Sequence, residues 1–124
     1  MFKRLGNLQL EIMKVLWERQ KATVTEVHAA LEHGEDLAYT TVATMLRKME
    51  LKGLVAHENQ GRTFVYSPAA VEDEVTRGMT SDLLDRVFEG SLSDMVSHLL
   101  SSREVSRDEL ERIEQLIAQK KKKS

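Results

Sequence analysis

The sequence predicts a mainly α-helical protein with one short β-hairpin. Apolar residues recur at helical spacing through most of the 124 residues. The segment LVAHENQGRTFVYSP instead alternates apolar and polar side chains around a turn at Asn59-Gln60-Gly61, which is typical of two antiparallel strands. The only proline, Pro68, closes this segment.

Three helices precede the hairpin. The first spans about 7–19, with Asn7 as the predicted N-cap. A short extended piece follows, and Thr25 is predicted to cap a second helix that ends at Gly34. The third helix is contained in AYTTVATMLRKMELKGLV and ends at Gly53. Helix, short strand, helix, helix and hairpin, in this order, match a winged helix-turn-helix.

Three further helices are predicted after Val71. Apolar residues repeat every four positions up to Gly90, a second apolar group follows, and Ser106 begins the last helix with a capping box that includes Glu109. We therefore expect a winged-helix DNA-binding domain at 1–70, a helical dimerisation domain at 71–119 and a basic disordered tail at 120–124.

Composition excludes several classes of site. The chain has no cysteine, which removes disulfides, thiolate metal sites and cysteine nucleophiles. No segment approaches the roughly 20 apolar residues needed to span a bilayer, so we expect a cytoplasmic protein without a membrane partner. The net charge is −2, and residues up to Ala70 carry 9 Lys/Arg against 8 Asp/Glu. A DNA-binding surface must therefore be a local patch in the N-terminal half.

The third predicted helix has two contrasting faces. Val42, Met45, Leu46 and Met49 fall together and form the core side. Threonines and cations lie on the other side, although threonine is a poor helix former and a solvated face normally carries Glu, Lys and Gln. Major-groove contact explains this choice, because threonine is short and offers both a hydroxyl and a methyl group to base edges. The predicted DNA-binding residues, including one in the hairpin turn, are Thr40, Thr41, Thr44, Arg47, Lys48 and Arg62.

The C-terminal helices are predicted to need a second copy of the chain. About 50 residues bury too little surface to be stable alone, so either the N-terminal lobe or a partner must cover their apolar stripes. We favour an intertwined homodimer, whose two recognition helices would read both halves of a palindrome. The predicted dimerisation residues are Leu83, Leu84, Val87, Phe88, Leu92, Met95, Val96, Leu99, Leu100, Leu110, Ile113 and Ile117.

Two other classes of function were compared with DNA binding. An enzyme is disfavoured because His28 and His33 do not share a helix face and no nucleophile-base set is recognisable. We expect no catalytic residue, no metal and no cofactor. A winged-helix module that binds proteins without DNA is the alternative, and Leu51, which points outward, is the one residue of the third helix that favours it.

The runs LEIMKVLW, ATVTEVHAAL, AYTTVATMLRKMELKGLV and GRTFVYSP resemble the penicillinase-repressor family, which includes the β-lactamase, methicillin-resistance and copper-responsive repressors. The resemblance covers nearly the whole chain. It implies a homodimeric winged-helix transcriptional repressor of palindromic operator DNA, with the six predicted DNA-binding residues matching the recognition helix and the wing. Repression rather than activation rests on this resemblance.

Two departures from the family pattern concern induction. Copper-responsive members carry a C-terminal cysteine cluster, which this chain lacks. In β-lactam-responsive members a protease cuts an Asn-Phe bond, whose matching position here is His98-Leu99. The resemblance therefore leaves a protease partner, the inducing signal, the operator sequence and the regulated genes open.

Overall fold

The computed structural model describes residues 4–124, which form two compact units, one ending at Asp82 and one spanning Leu83–Ser124. The described elements, in chain order, are α1 (Asn7–Arg19), β1 (Ala22–Thr23), α2 (Val24–Ala30), a 3-10 turn (Gly34–Asp36), α3 (Tyr39–Leu51), β2 (Val55–Gln60), β3 (Thr63–Pro68), α4 (Glu72–Phe88), α5 (Leu92–Ser102) and α6 (Arg107–Lys123). The predicted mainly helical winged helix-turn-helix, followed by three helices, is confirmed.

The wing is an antiparallel hairpin extended by one short strand. β2 pairs with β3, and β1 pairs with the other edge of β3, so that the strand order is β1-β3-β2. Gln60 pairs with Thr63, which leaves Gly61 and Arg62 as the turn, whereas Asn59 and Gln60 of the predicted turn belong to β2. Gly61 has φ +63°, a conformation that glycine adopts without steric cost, and this explains the position of the turn.

The core of the first unit lies between α1, α2, α3 and the sheet. The buried side of α3 agrees with the prediction, with Met45 at its partly buried margin. Val75 of α4 is also buried, and the Trp17 indole Nε1 donates a hydrogen bond of 2.9 Å to the Ala70 carbonyl. The start of α4 therefore packs with this unit, and the predicted functional boundary after Ala70 stays a prediction. The largest fully buried side chains are Tyr66, Ile12, Met13, Leu16, Leu46, Met49, Leu54, Val27, Val42 and Val75.

Two predicted N-caps are wrong by one or two positions. Gly6, rather than Asn7, precedes α1, and its N–H donates to Gln9 Oε1 at 3.2 Å. Thr23, rather than Thr25, caps α2: its hydroxyl accepts from the Glu26 N–H at 3.1 Å, and its own N–H donates to Glu26 Oε1 at 2.8 Å. These bonds lower the pKa of Glu26 below its ordinary value, with the Thr23 N–H as the largest cause.

The turn between α2 and α3 is held by a histidine and a glycine. Helix α2 ends at Ala30, earlier than the predicted end at Gly34, which instead begins the 3-10 turn. The His28 Nε2 atom lies 2.7 Å from the Gly34 carbonyl oxygen and 2.8 Å from that of Leu37, and it donates to both because carbonyl oxygens only accept. A Cβ atom on Gly34 would lie 2.2 Å from the His28 carbonyl oxygen, so this close approach requires glycine.

The second unit consists of the end of α4 together with α5 and α6. Gly90, with φ +83°, separates α4 from α5, and Ser106 caps α6 by accepting from the Glu109 N–H at 3.1 Å, as predicted. The expected disorder of 120–124 is corrected, because α6 continues through Lys123. Lysine is a good helix former, and its charge favours the last turn of a helix. No helix among residues 4–124 combines the length and the apolar character needed to cross a bilayer.

Candidate nucleic-acid interface

Helix α3 presents the predicted contact residues on its outer side. Thr40, Thr41, Arg47 and Lys48 are exposed, and Thr44 is half-buried. Their exposure follows from the burial of the opposite side, because at 100° per residue the positions between the core residues face outward. The structure thus leaves these side chains at least partly accessible to a ligand.

The threonines and Lys48 surround a shallow depression on this helix. Its volume is about 300 Å³, and Met45 forms part of its floor beside Thr40, Thr41 and Thr44. Arg47 lies outside this group, and its Nη2 donates to the Thr44 hydroxyl at 3.3 Å. That bond holds the guanidinium along the helix surface.

Arg47 is grouped instead with the wing. Arg47 and Arg62 line the same cleft, which has a volume of about 340 Å³ and lies between α3, the start of α2 and the hairpin. Two guanidinium groups on one cleft favour a polyanionic ligand, because arginine is always charged and its fork matches phosphate oxygens. The cleft therefore brings one arginine of α3 and one arginine of the hairpin turn to the same surface.

Sequence reasoning missed several residues of this cleft. Tyr39, the first residue of α3, is 51% exposed and lines the cleft. Its exposure could not be read from the sequence, because Tyr39 lies seven residues before the buried Leu46 and shares the core side of the helical wheel. The sequence gives no signal for the other missed lining residues either; they are Thr23, Val24, Thr25, Ala43, Thr63, Phe64 and Tyr66.

The far end of α3 is bonded to the wing. The His57 Nδ1 atom of β2 lies 2.7 Å from Glu50 Oε1 and 2.9 Å from Glu50 Oε2. The His57 ring stacks on Phe64, with 4.1 Å between the ring centroids and 13° between the planes. This contact joins α3, β2 and β3, and it places the only carboxylate of α3 against a histidine.

Tyr66 lies beneath this contact and is 1% exposed. Burial is the largest cause that raises the pKa of the Tyr66 hydroxyl, the Glu50 carboxylate raises it further, and the Arg47 guanidinium lowers it. The Tyr66 hydroxyl is therefore kept neutral within the electrostatic field of residues from α3.

The histidines do not form a catalytic group in the described structure. His28 holds the α2–α3 turn and His57 binds Glu50, so both have structural partners. Among residues 4–124, one trio, His33, Glu35 and Asp36, has candidate metal-ligating atoms within 4.8 Å of one another. All three are exposed, and exposed acidic groups of this kind are common on proteins without a bound metal.

The predicted dimerisation residues lie in the second unit and remain accessible. None of them is buried in the single chain, and Leu92, at 64% exposed, is the most accessible. Ile117 and Leu116, the latter absent from the predicted set, are 50% and 48% exposed. An apolar groove of about 820 Å³ in this unit is lined by Leu92, Ser93, Val96, Ser97, Leu100, Ser101 and Ile117.

Comparison with known proteins gives relatives over nearly the whole chain. The profile of the penicillinase repressor family matches residues 5–119. The penicillinase repressor of Bacillus licheniformis is 29% identical over 118 residues, which cover 95% of this chain and 92% of that protein. The transcriptional regulator BlaI of Mycobacterium tuberculosis is 35% identical over 118 residues, which cover 94% of this chain and 84% of that protein.

Solved structures give the same relationship for the N-terminal part. The DNA-binding domain of the repressor BlaI has a TM-score of 0.52 and 31% identity, and the match covers 60% of this chain and 90% of that domain. The monomeric form of Bacillus licheniformis BlaI, solved with the blaP half-operator, has a TM-score of 0.50 at the same identity and coverage. These relatives are repressors and not enzymes. By its match over nearly its whole length, this chain belongs to the penicillinase repressor family of DNA-binding transcriptional repressors.

Proposed function

We propose that two copies of this chain form a repressor that binds a palindromic operator, with one α3 helix in the major groove of each half-site. The observation that carries the proposal is the outer side of α3, where threonines and Lys48 share a depression and Arg47 lines the same cleft as Arg62. Threonine and lysine side chains suit base edges and phosphates, and the two arginines suit the adjacent backbone.

The second unit supplies the reason for two copies. It exposes leucines and isoleucines on α5 and α6, and none of its side chains is buried in the single chain. Covering such surface with the same surface of another copy is favourable and gives a two-fold axis. A two-fold axis makes the operator a palindrome, because each α3 then meets an equivalent half-site.

The partner and its release follow from this arrangement. The BlaI half-operator complex is a precedent for DNA binding by a relative with the same fold. In our proposal, a signal that separates the second units lowers operator affinity, since each copy alone contacts only one half-site.

A footprint on the promoter of the chain's own gene tests the proposal. We expect a symmetric protected site, and we expect Thr44→Ala and Arg47→Ala each to weaken specific binding by about 1–3 kcal/mol where they contact bases. Thr76→Ala and Arg103→Ala are matched controls, since both residues are exposed outside α3 and the wing. Equal losses on scrambled DNA would assign Thr44 and Arg47 to phosphates instead, and absence of duplex binding at low salt would refute the proposal.

A further inference from the structure

The contact between Glu50 and His57 has a geometry that a solvated surface pair rarely keeps. Both carboxylate oxygens of Glu50 lie within 2.9 Å of one nitrogen, His57 Nδ1. A carboxylate only accepts hydrogen bonds, so Nδ1 carries the hydrogen. The side chains of His57 and Glu50 are only 28% and 32% exposed, which limits competition from water.

The ring of His57 is fixed from a second direction. Phe64 stacks on it at 4.1 Å, and the Tyr66 ring centroid lies 5.7 Å from it. Because His57 pairs directly with Tyr66 across the sheet, its ring rests on side chains of β3 while its nitrogen bonds to α3. The hairpin is therefore tied to the recognition helix by one side chain held on two sides.

The contact between Glu50 and His57 lies far enough from the hairpin turn that a small rotation there would displace the turn. His57 lies four residues before Gly61, which corresponds to roughly 13 Å along a strand at about 3.3 Å per residue. A rotation of the hairpin by about 15° at His57 would move the tip by roughly 3 Å over that length. This movement is comparable to the whole length of a hydrogen bond, so Arg62 in the turn would lose a phosphate contact.

We propose that Glu50 and His57 are positioning residues that hold the wing against α3 so that Arg62 reaches the DNA backbone. The inference rests on the proposed function and adds a role for two residues that do not touch DNA themselves. It also gives a role to the one acid of α3, where an unpaired carboxylate would repel phosphates.

Replacement of Glu50 distinguishes an effect of its charge from an effect on the position of the wing, because the two change DNA affinity in opposite directions. Removal of a negative charge close to DNA should raise affinity, whereas release of the wing should lower it. We expect Glu50→Ala and His57→Ala each to weaken operator binding by about tenfold, as expected for loss of a charge-assisted hydrogen bond. The slope of log affinity against log salt concentration should become shallower by about 0.9 for each copy of the chain whose Arg62 no longer contacts a phosphate.

Four further variants separate the alternatives. Glu50→Gln keeps an acceptor oxygen and should retain wild-type affinity or exceed it. Glu58→Ala removes a neighbouring exposed carboxylate of β2 and should not weaken binding. Arg62→Ala should reproduce the shallower slope, and the double variant Arg62→Ala/His57→Ala should match Arg62→Ala within about twofold, because both act through the same contact.

Binding should be measured by fluorescence anisotropy across a salt series, below the melting temperature of each variant. A Glu50→Ala protein that binds more tightly, or one that melts earlier with an unchanged salt slope, would overturn the inference. An Arg62→Ala protein with wild-type slope would also overturn it. A wild-type protein that binds no duplex would refute the proposed function itself. If affinity depends on Arg62 but is unchanged by Glu50→Ala and His57→Ala, only the positioning role is refuted. If His57→Ala does not fold, Glu50→Ala carries the test.

Discussion

Replacement of Leu92 by aspartate tests the proposed dimer at its most exposed predicted position. Leu92 is the first residue of α5 and is 64% exposed in the single chain. Full burial of a leucine side chain contributes about 1.5–3 kcal/mol, so covering the exposed part contributes about 1–2 kcal/mol in each copy. A two-fold interface counts this twice, which gives about 2–4 kcal/mol, or roughly 30- to 700-fold in the dimer Kd.

Aspartate is a useful replacement because it does not oppose the local structure. An acidic side chain in the first turn of a helix interacts favourably with the helix dipole, so α5 should form normally. Val71→Asp is the matched control: Val71 is 58% exposed, also lies at a helix start, and belongs to the first unit. We expect this control to dimerise as the wild type does.

Sedimentation equilibrium over a range of protein concentrations measures the dimer Kd of the three proteins. We expect Leu92→Asp to raise the dimer Kd by at least roughly 30-fold, and operator affinity to fall in parallel. An unchanged Kd for Leu92→Asp, or a wild-type protein that stays monomeric at tens of micromolar, would refute the assignment of α5 to the interface.

Two predictions concern the first unit. Gly34→Ala should destabilise the fold by about 1–3 kcal/mol, because its Cβ would lie 2.2 Å from the His28 carbonyl oxygen and the backbone would have to move. Gly6→Ala is the control: no atom lies within 4 Å of the added Cβ, so this variant should lose less than about 1 kcal/mol of stability. Equal urea midpoints for the two variants would contradict this reasoning. Because the native pKa of Tyr66 is raised above its ordinary value of 10.0, the neutral hydroxyl stabilises the fold below about pH 10, and that stability is lost as the pH rises through the native pKa. Urea unfolding at pH 8 and above pH 10 should therefore show a smaller alkaline loss for Tyr66→Phe than for the wild type, and identical losses would show that Tyr66 does not carry this effect.

The spacing of apolar and polar residues along the chain was sufficient to predict the order of the helices and strands. The extent of α1 was predicted apart from its N-cap, and the core side of α3 followed from a spacing that one helix sets without reference to any other. The exposed threonines and cations of α3 were identified in the same way, because each face of a helix is defined by its own residues. The hairpin was also predicted, although two of its predicted turn residues, Asn59 and Gln60, belong to β2.

The helix ends depended on competition between neighbouring residues. Thr23 and Thr25 are both good N-caps by type, and the choice of Thr23 follows from its hydrogen bonds with Glu26. The lysine tail was predicted to be disordered by composition, whereas α6 continues through Lys123 because no residue there stops a helix. Such choices turn on small free-energy differences between adjacent positions, which residue type alone does not resolve.

Long-range neighbours could be known only from the tertiary structure. Arg47 and Arg62 share a cleft although they lie in different elements, and Glu50 meets His57 only because β2 folds back along α3. The packing of one element on another depends on the whole set of buried side chains rather than on any local period. The chain's own spacing therefore determined which residues face outward, and tertiary packing decided which of them act together.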